Sequence, residues 1–384
     1  MTRSQYIDPE KERFVMGGMS GTSSDGVTFS LIKVKGIGSK KEIEFIGYID
    51  QKYPKDLKEK IFSLYPGYEF TIEKFATIQH RVMEVFLDTI TKLINKSAIS
   101  IHDISSISLQ GPILYYNPPL CIEMVEPTII AEKFNIPVIS NLRANDIAMG
   151  GRGAPLSPYV DYLLFYSEEK GRIIQNIGGI ANLTAIFPGT KIDDIISFDI
   201  GPGNMIIDYV VRKFTKYEYD KDGEIASSGK VNKKLLNWLM EIPYISSPPP
   251  KTTGRELFGD LFGEKVVKKG KEIGLSFEDI VATSTYFTVE SIAINYEKFV
   301  FTKGRIDEVI LGGGGVHNKT LIKMLKKRLS NLNILTHEDF GIPSVAREGL
   351  TWAVIGDETM FGIPTNLPHI TGAKKKVLQG RITQ

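Results

Sequence analysis

The sequence predicts an α/β protein of two domains, on three observations. The chain has 384 residues, enough for two cores of ordinary domain size. Short apolar strands run into glycine-rich turns and then into helices. One such strand, over residues 195–198, leads to Gly201-Pro-Gly-Asn204, and another, over 309–311, leads to Gly312-Gly-Gly-Gly315. A turn-bearing β-meander occurs twice, over residues 14–50 and 172–200, each time with a loop rich in Gly, Ser, Thr or Asp.

Composition narrows the function classes. Hydrophobic content of 42% and charged content of 24% are ordinary for a globular protein. Lys+Arg 47 against Asp+Glu 45 leaves a net charge of +2, which gives no electrostatic basis for nucleic-acid or membrane partners. The lone Cys121 excludes an intrachain disulfide framework and points to a reducing compartment. His80, His102, His317, His337 and His369 lack metal-ligand spacing and read as surface or structural histidines. The N-terminus lacks the apolar core of a signal peptide, and no apolar run approaches the roughly 18 residues that span a bilayer. A cytoplasmic location is expected.

Taken in order, the strand over 14–18 runs into Met19-Ser-Gly-Thr-Ser-Ser-Asp-Gly26. Amides and hydroxyls at such a tip, from Ser20, Gly21, Thr22, Ser23 and Ser24, suit phosphate oxygens, although a plain Ser/Gly hairpin gives the same pattern. Strands over 27–35 and 42–50 complete an antiparallel meander. Phe75, Ile78, Val82, Phe86, Ile90 and Leu93 recur at helical spacing within a helix over 72–96, and that stripe is core. A buried strand over 104–109, a turn at Gln110-Gly-Pro112, a helix from Pro127 to Phe134 and a strand over 137–140 follow. Residues 141–158, rich in Gly and Pro, read as a linker or a ligand loop. Within them Arg143 and Asp146 are either a surface ion pair or a pair that orients a polar substrate.

The densest stretch is 172–209. Its first strand leads into Asn176-Ile-Gly-Gly-Ile-Ala-Asn182, and its second ends on Asp199 before Gly201-Pro-Gly-Asn204. Glycines let a ligand approach the backbone and leave N–H groups for an anion. A carboxylate beside such a cradle is either a cap for the helix over 205–213 or a group with a metal or proton-transfer task. Residues 219–224 read as a solvated loop. Residues 235–240 are helical, and Ser247-Pro-Pro-Pro250 ends that helix before Lys251-Thr-Thr-Gly-Arg-Glu256, where Lys251 and Arg255, flanking Thr-Thr-Gly, either bind anions or are paired structurally with Glu256. Ser276 and Asp279 form a capping-box variant for a helix through Tyr296. The strand over 309–311, the glycines 312–315 and a helix from Asn318 make a nucleotide-site pattern. A last helix over 343–360 carries Glu348 and Trp352.

These pieces together resemble the anhydro-N-acetylmuramic acid kinases of the sugar-kinase/Hsp70/actin ATPase superfamily. The resemblance spans nearly the whole chain, from Met19–Gly26 through Gly150-Gly-Arg-Gly-Ala-Pro155, Asn176–Asn182, Phe198–Asn204, Pro250–Glu256 and Gly312–Asn318 to Asn366-Leu-Pro-His-Ile-Thr-Gly372. It implies two actin-like (ribonuclease H-like) lobes with mixed five-stranded sheets that close over ATP in a central cleft. The expected division is residues 1–135, with the tail 373–384 returning to that lobe, and residues 136–372, with the catalytic acid and adenine site. The implied reaction opens the 1,6-anhydro bridge of a sugar with water and phosphorylates the freed O6. Asp199 would be the base, and Glu348 would help hold the sugar and water. ATP phosphates would meet Ser20, Gly21, Thr22, Ser23, Ser24, Asp25, Gly26, Asn176, Gly178, Gly179, Gly201, Pro202, Gly203 and Asn204. Gly312, Gly313, Gly314 and Asn318 would complete the nucleotide site. Arg143 and Asp146 would contact the substrate, and Mg²⁺ would come with ATP rather than from protein ligands. A homodimer is implied as well.

The departures lie on the sugar side. Leu109-Gln-Gly-Pro-Ile113 stands where the family has Ser-His-Gly-Gln-Thr, Val125-Glu-Pro127 replaces Gly-Asp-Pro, Asn141-Leu-Arg143 replaces Asp-Phe-Arg, and Thr28 replaces a common Asp. Anhydro-N-acetylmuramic acid, levoglucosan and another small sugar therefore stay open as substrates. An ordinary sugar or polyol kinase and a non-catalytic ATP-binding scaffold stand as alternative functions.

Overall fold

In the computed structural model, which describes residues 8–21 and 24–384, both meanders form and each is extended by parallel strands. The strands, in chain order, are β1 (Arg13–Met19), β2 (Gly26–Lys35), β3 (Glu42–Lys52), β4 (Ile104–Gln110), β5 (Ile113–Asn117), β6 (Leu120–Glu123) and β7 (Val138–Ser140). They continue with β8 (Arg172–Ile177), β9 (Ile180–Ile186), β10 (Ile196–Pro202), β11 (Glu308–Gly312), β12 (Asn333–Thr336) and β13 (Arg381–Thr383). The chain divides into two units. One runs to Leu164 and resumes at Gly341, and the other is Phe165–Phe340.

The first unit holds a sheet in the order β13-β7-β4-β1-β2-β3. β1 is antiparallel to β2 and parallel to β4, and β4 is parallel to β7. The second unit holds a sheet in the order β10-β9-β8-β11-β12, with β8, β9 and β10 antiparallel and β8, β11 and β12 parallel. Without β13, both sheets are a three-stranded meander followed by two parallel strands. That is the duplication hinted at by the two meanders. The first sheet has six strands rather than five because β13 pairs antiparallel with β7.

The units differ from the expected division. Strand β7 and the loop and helix that follow it, through Leu164, belong with the first unit, as does the helix Arg347–Met360. The sequence shows why only after the fact. Gly17 of β1 lies so close to that helix that a Cβ there would sit 2.0 Å from the Gly349 carbonyl oxygen and 2.1 Å from the Ala353 nitrogen. Helix and sheet therefore pack backbone to backbone, and every residue from Gly349 to Met360 is buried.

The predicted amphipathic helix spans Ile72–Ser97, capped by Thr71, whose side chain accepts from the Lys74 N–H. Ile78, Val82, Phe86, Ile90 and Leu93 are buried in the first core, and Phe75 packs at its margin. Phe86 meets Phe29 of β2 edge-on at 5.5 Å. The second core is built on the helix Phe277–Asn295, capped by Ser276, which accepts from the Asp279 N–H as its sequence signal implies.

Candidate active site

Asp199 lies near the end of β10, where the pairing with β9 slips between Asp199 and Gly201. Such an irregularity bends a strand and re-aims its side chains. Gly201 has φ 149°, a conformation that L side chains rarely adopt, and a Cβ there would also crowd Ile245. Asp199 does not cap the next helix. The helix Met205–Phe214 has Asn204 at its N-cap with no side-chain cap bond. The Asp199 carboxylate instead accepts from the Thr252 hydroxyl at 2.6 Å and the Thr253 N–H at 3.0 Å, both at Oδ2. Its own N–H donates to the Lys251 carbonyl and its carbonyl accepts from the Tyr244 hydroxyl at 2.9 Å. The Lys251–Thr253 segment thus grips the aspartate from backbone and side chain together.

Three glycine-rich segments converge beside it. The Gly203 N–H donates to the Gly179 carbonyl and the Asn204 N–H to the Gly178 carbonyl. A Cβ on Gly203 would stand 2.3 Å from the Gly178 oxygen. Gly313, at φ 82°, fits against Asn176, and Gly315 fits against Ile177. The glycines therefore serve close backbone approach, and the Gly178, Gly203 and Asn204 N–H groups donate to carbonyls within the turns themselves. A cavity of about 490 Å³ borders Gly179 and is lined also by Met205, Asp208, Arg212, Arg255 and Leu261. Burial pushes the Asp208 carboxyl up to about 7, against the pull of Arg212. Arg255 forms no ion pair with Glu256, so that expectation does not hold among the described residues.

Several expected contacts are absorbed by the fold. Asn318 caps the helix Lys319–Arg328, accepting from the Leu321 N–H at 2.9 Å, and is 7% exposed. Gly312 closes β11 and faces the ring of His337, and Pro202 is buried and has no N–H to offer. Residues 219–224 are only in part a solvated loop: Tyr219, Lys221 and Glu224 are exposed, but Asp220 is buried and accepts from the Ile225 and Ala226 N–H groups.

In the first unit, Thr22 and Ser23 lie outside the described residues. Ser24 has φ 47° and its hydroxyl shares a hydrogen bond with the Tyr65 hydroxyl at 2.9 Å. Asp25 pairs with Lys58, so its charge is partly balanced next to a loop expected to meet phosphate. Ser20 is buried with its N–H donating to the Gln110 carbonyl, and Gly26 sits against the Gln51 carbonyl.

Glu348 is exposed and follows the half-buried Arg347 at the start of a helix that is buried from Gly349 onward. It sits in the first turn, where a carboxylate is favoured by the helix dipole. Crowding by surrounding protein raises its pKa, while Arg347 and Arg143 pull it back. Arg143 lies over the Trp352 ring at 5.8 Å, one turn beyond Glu348, and donates to the Gln110 side chain at 3.0 Å and the Gly153 carbonyl at 2.7 Å. Arg143 and Glu348 thus share a neighbourhood. Asp146 does not join them. It is fully buried and accepts from the Gly153 N–H, the Asn366 amide and the Thr371 hydroxyl, so it ties the 150s loop to the 366–371 segment and cannot face a sugar. Glu123 is a neighbour the sequence did not flag. Burial pushes it up to about 7, with the Gly111 N–H and Arg143 opposing.

A family model described as anhydro-N-acetylmuramic acid kinase matches residues 13–384. The chain belongs to that family. A relative from Caldanaerobacter subterraneus subsp. tengcongensis, named anhydro-N-acetylmuramic acid kinase, is 40% identical over 100% of both chains. One of the same name from Clostridioides difficile is 37% identical, covering 96% of this chain and 98% of its own. Among solved structures, the ADPNP-bound activator of 2-hydroxyisocaproyl-CoA dehydratase from Clostridium difficile covers 91% of this chain and 96% of its own, at 14% identity and a TM-score of 0.46.

Proposed function

We propose that this protein uses ATP to phosphorylate anhydro-N-acetylmuramic acid at O6 while water opens its 1,6-anhydro bridge. The observation that carries the reading is the grip of Thr252 and Thr253 on Asp199 beside the glycine turns. A general base must be held within hydrogen-bond reach of the proton it takes. In the reaction, water attacks C1 and gives a proton to Asp199. The C1–O6 bond breaks as O6 bonds to the γ-phosphorus, and ADP leaves with the electrons of the old P–O bond. The glycine turns at 178–179 and 201–204 let phosphate oxygens approach the backbone closely, and Glu348 and Arg143 are the sugar contacts in the first unit.

Mg²⁺ fits this donor set as an ion that phosphate oxygens and water hold. The glycine turns beside Asp199 would bring those oxygens, and the ion with them, close to the backbone. When bound, the ion neutralises phosphate charge. Among the described residues no helix is long and apolar enough to cross a membrane. We place the protein in the cytoplasm as a homodimer, with light scattering as the check on its mass.

The test is ADP release with Mg·ATP against anhydro-N-acetylmuramic acid, levoglucosan, glucose, N-acetylglucosamine and no sugar. The muramic compound is expected to give the highest kcat/KM. Preference for a free hexose would replace this reading with an ordinary sugar kinase. Gly203→Ala supplies an independent check on the nucleotide side. The added methyl must push the Gly178 carbonyl away, an overpacking cost of about 1–3 kcal/mol. Calorimetry is expected to show weaker ATP binding by about tenfold or more, and unchanged affinity would detach the glycine turns from nucleotide.

A further inference from the structure

Lys251 stands out in the second unit because its ammonium is buried and, among the described residues, forms no ion pair within contact distance. The residue is 8% exposed. Its Nζ lies over three aromatic rings: Tyr244 at 4.8 Å, Phe299 at 5.5 Å and Phe198 at 5.7 Å. It donates to the Tyr244 carbonyl at 3.1 Å and the Ile245 carbonyl at 3.2 Å. Neither carbonyl needs it. Tyr244 also accepts from the Ser247 N–H, and Ile245 accepts from the Asn295 amide. A neutral side chain of the same length would fill the box and leave both acceptors satisfied. Burying a charge there costs more than packing requires, so the charge has another use.

The elements around the box point to that use. Phe198 precedes Asp199 on β10, Tyr244 donates to the Asp199 carbonyl, and the Lys251 carbonyl accepts from the Asp199 N–H. The next two residues donate to the Asp199 carboxylate. Asp199 is also the nearby charge that favours the ammonium. We infer that Lys251 is a positioning residue for Asp199: its caged ammonium anchors the donor segment 251–253 and supplies a positive charge that favours the ionised carboxylate.

The charges facing Lys251 are few. Asp199 attracts it from β10, and Lys298 repels it from the turn Tyr296–Val300. Burial is the largest influence and brings the ammonium down to about 8. Aromatic faces offset part of that burial, because a desolvated cation over a ring is attracted more strongly than an exposed one. Lys251 therefore remains charged at neutral pH, and the attraction it exerts on Asp199 operates where the enzyme works.

The activity arm of the test rests on the kinase reading, and the titration arm does not. Carboxyl carbon NMR of the substrate-free protein, with the Asp199 signal assigned by its loss in Asp199→Asn, follows the aspartate directly. Lys251→Met is expected to raise its titration midpoint by about one pH unit, and Lys251→Arg to restore it. An unchanged midpoint in Lys251→Met overturns the inference. If that variant fails to fold, nitrogen NMR of Lys251 in Asp199→Asn decides instead. The lysine midpoint must fall when the carboxylate is removed, and an unchanged midpoint overturns the inference equally.

In the activity arm, Lys251→Met is expected to lower kcat about 100-fold with both KM values within about twofold. The acid limb of its pH profile should move up with the NMR midpoint, and Lys251→Arg should recover most of the rate. Adding Lys251→Met to Asp199→Asn should cost nothing further, because the two residues act as a unit. A fully additive loss would show that the lysine acts elsewhere. A shifted midpoint together with full activity in Asp199→Asn would remove the base assignment while the coupling of the two residues stands.

Discussion

Asp199→Asn is expected to lower kcat for the anhydrosugar by about 10²–10⁴-fold, the usual contribution of a positioned general base. Asparagine keeps the shape of the side chain and an acceptor oxygen for Thr252 and Thr253, so the loop that holds residue 199 stays in place. What it lacks is basicity. The attacking water then keeps its proton as it approaches C1, and the positive charge that develops on it has no acceptor. Because Gly178, Gly179, Gly203 and Asn204 are held by their own backbone bonds, ATP affinity should stay within about twofold of wild type. The measurement is coupled ADP release beside calorimetric ATP titration. Turnover at the wild-type rate would remove Asp199 from the chemistry. Loss of ATP binding together with turnover would instead make residue 199 part of the nucleotide site.

This side of the molecule was legible because its signals are local. A strand that ends in glycines and a helix that begins with a cap are written in consecutive residues, as at 195–205 and at 309–318. Locality also explains the misreadings. Asn318 sits where a nucleotide contact is expected, and the same position is also the N-cap of its helix, where its side-chain oxygen is taken up by the Leu321 N–H. Asp146 reads as a surface acid until Asn366 and Thr371, more than 200 residues on, are seen to consume its acceptors. The hairpin β5–β6 was missed because its first strand is entered through Gly111-Pro112, which end the preceding strand, and its turn is Pro118-Pro119. The box around Lys251 draws on β10, Tyr244 and Phe299, and no single window of sequence contains all of it.

The placement of Glu348 depends on a buried charge network that joins the two ends of the first unit, and breaking that network should have a large effect on stability. Arg13 of β1 grips Asp357 through two parallel bonds, Nε to Oδ1 at 2.8 Å and Nη2 to Oδ2 at 2.6 Å. Lys41 pairs with the same carboxylate, and all three side chains are almost wholly buried. Arg13 is completed by the Pro9 and Gly36 carbonyls and by the face of Phe361 at 4.5 Å. Next to them Glu358 accepts from the Gly38 N–H and the Tyr159 hydroxyl. A network this well paired holds the helix Arg347–Met360 onto β1 and the 36–41 turn. It thereby fixes the first turn of that helix, where Glu348 stands. Asp357→Ala strips the buried Arg13 of its carboxylate and leaves Lys41 only Glu358, at 3.5 Å, which should cost about 3–5 kcal/mol. Trp352 lies in this unit and Trp238 in the other. In a Trp238→Phe background, fluorescence therefore reports the first unit alone. Its urea midpoint should fall by about 1–3 M in Asp357→Ala, given the slope usual for small domains. Asp357→Asn, which keeps acceptor and volume but not charge, should fall between the two. A midpoint unmoved by Asp357→Ala would mean that backbone packing of Gly17 against Gly349 and Ala353 holds the helix without the charges.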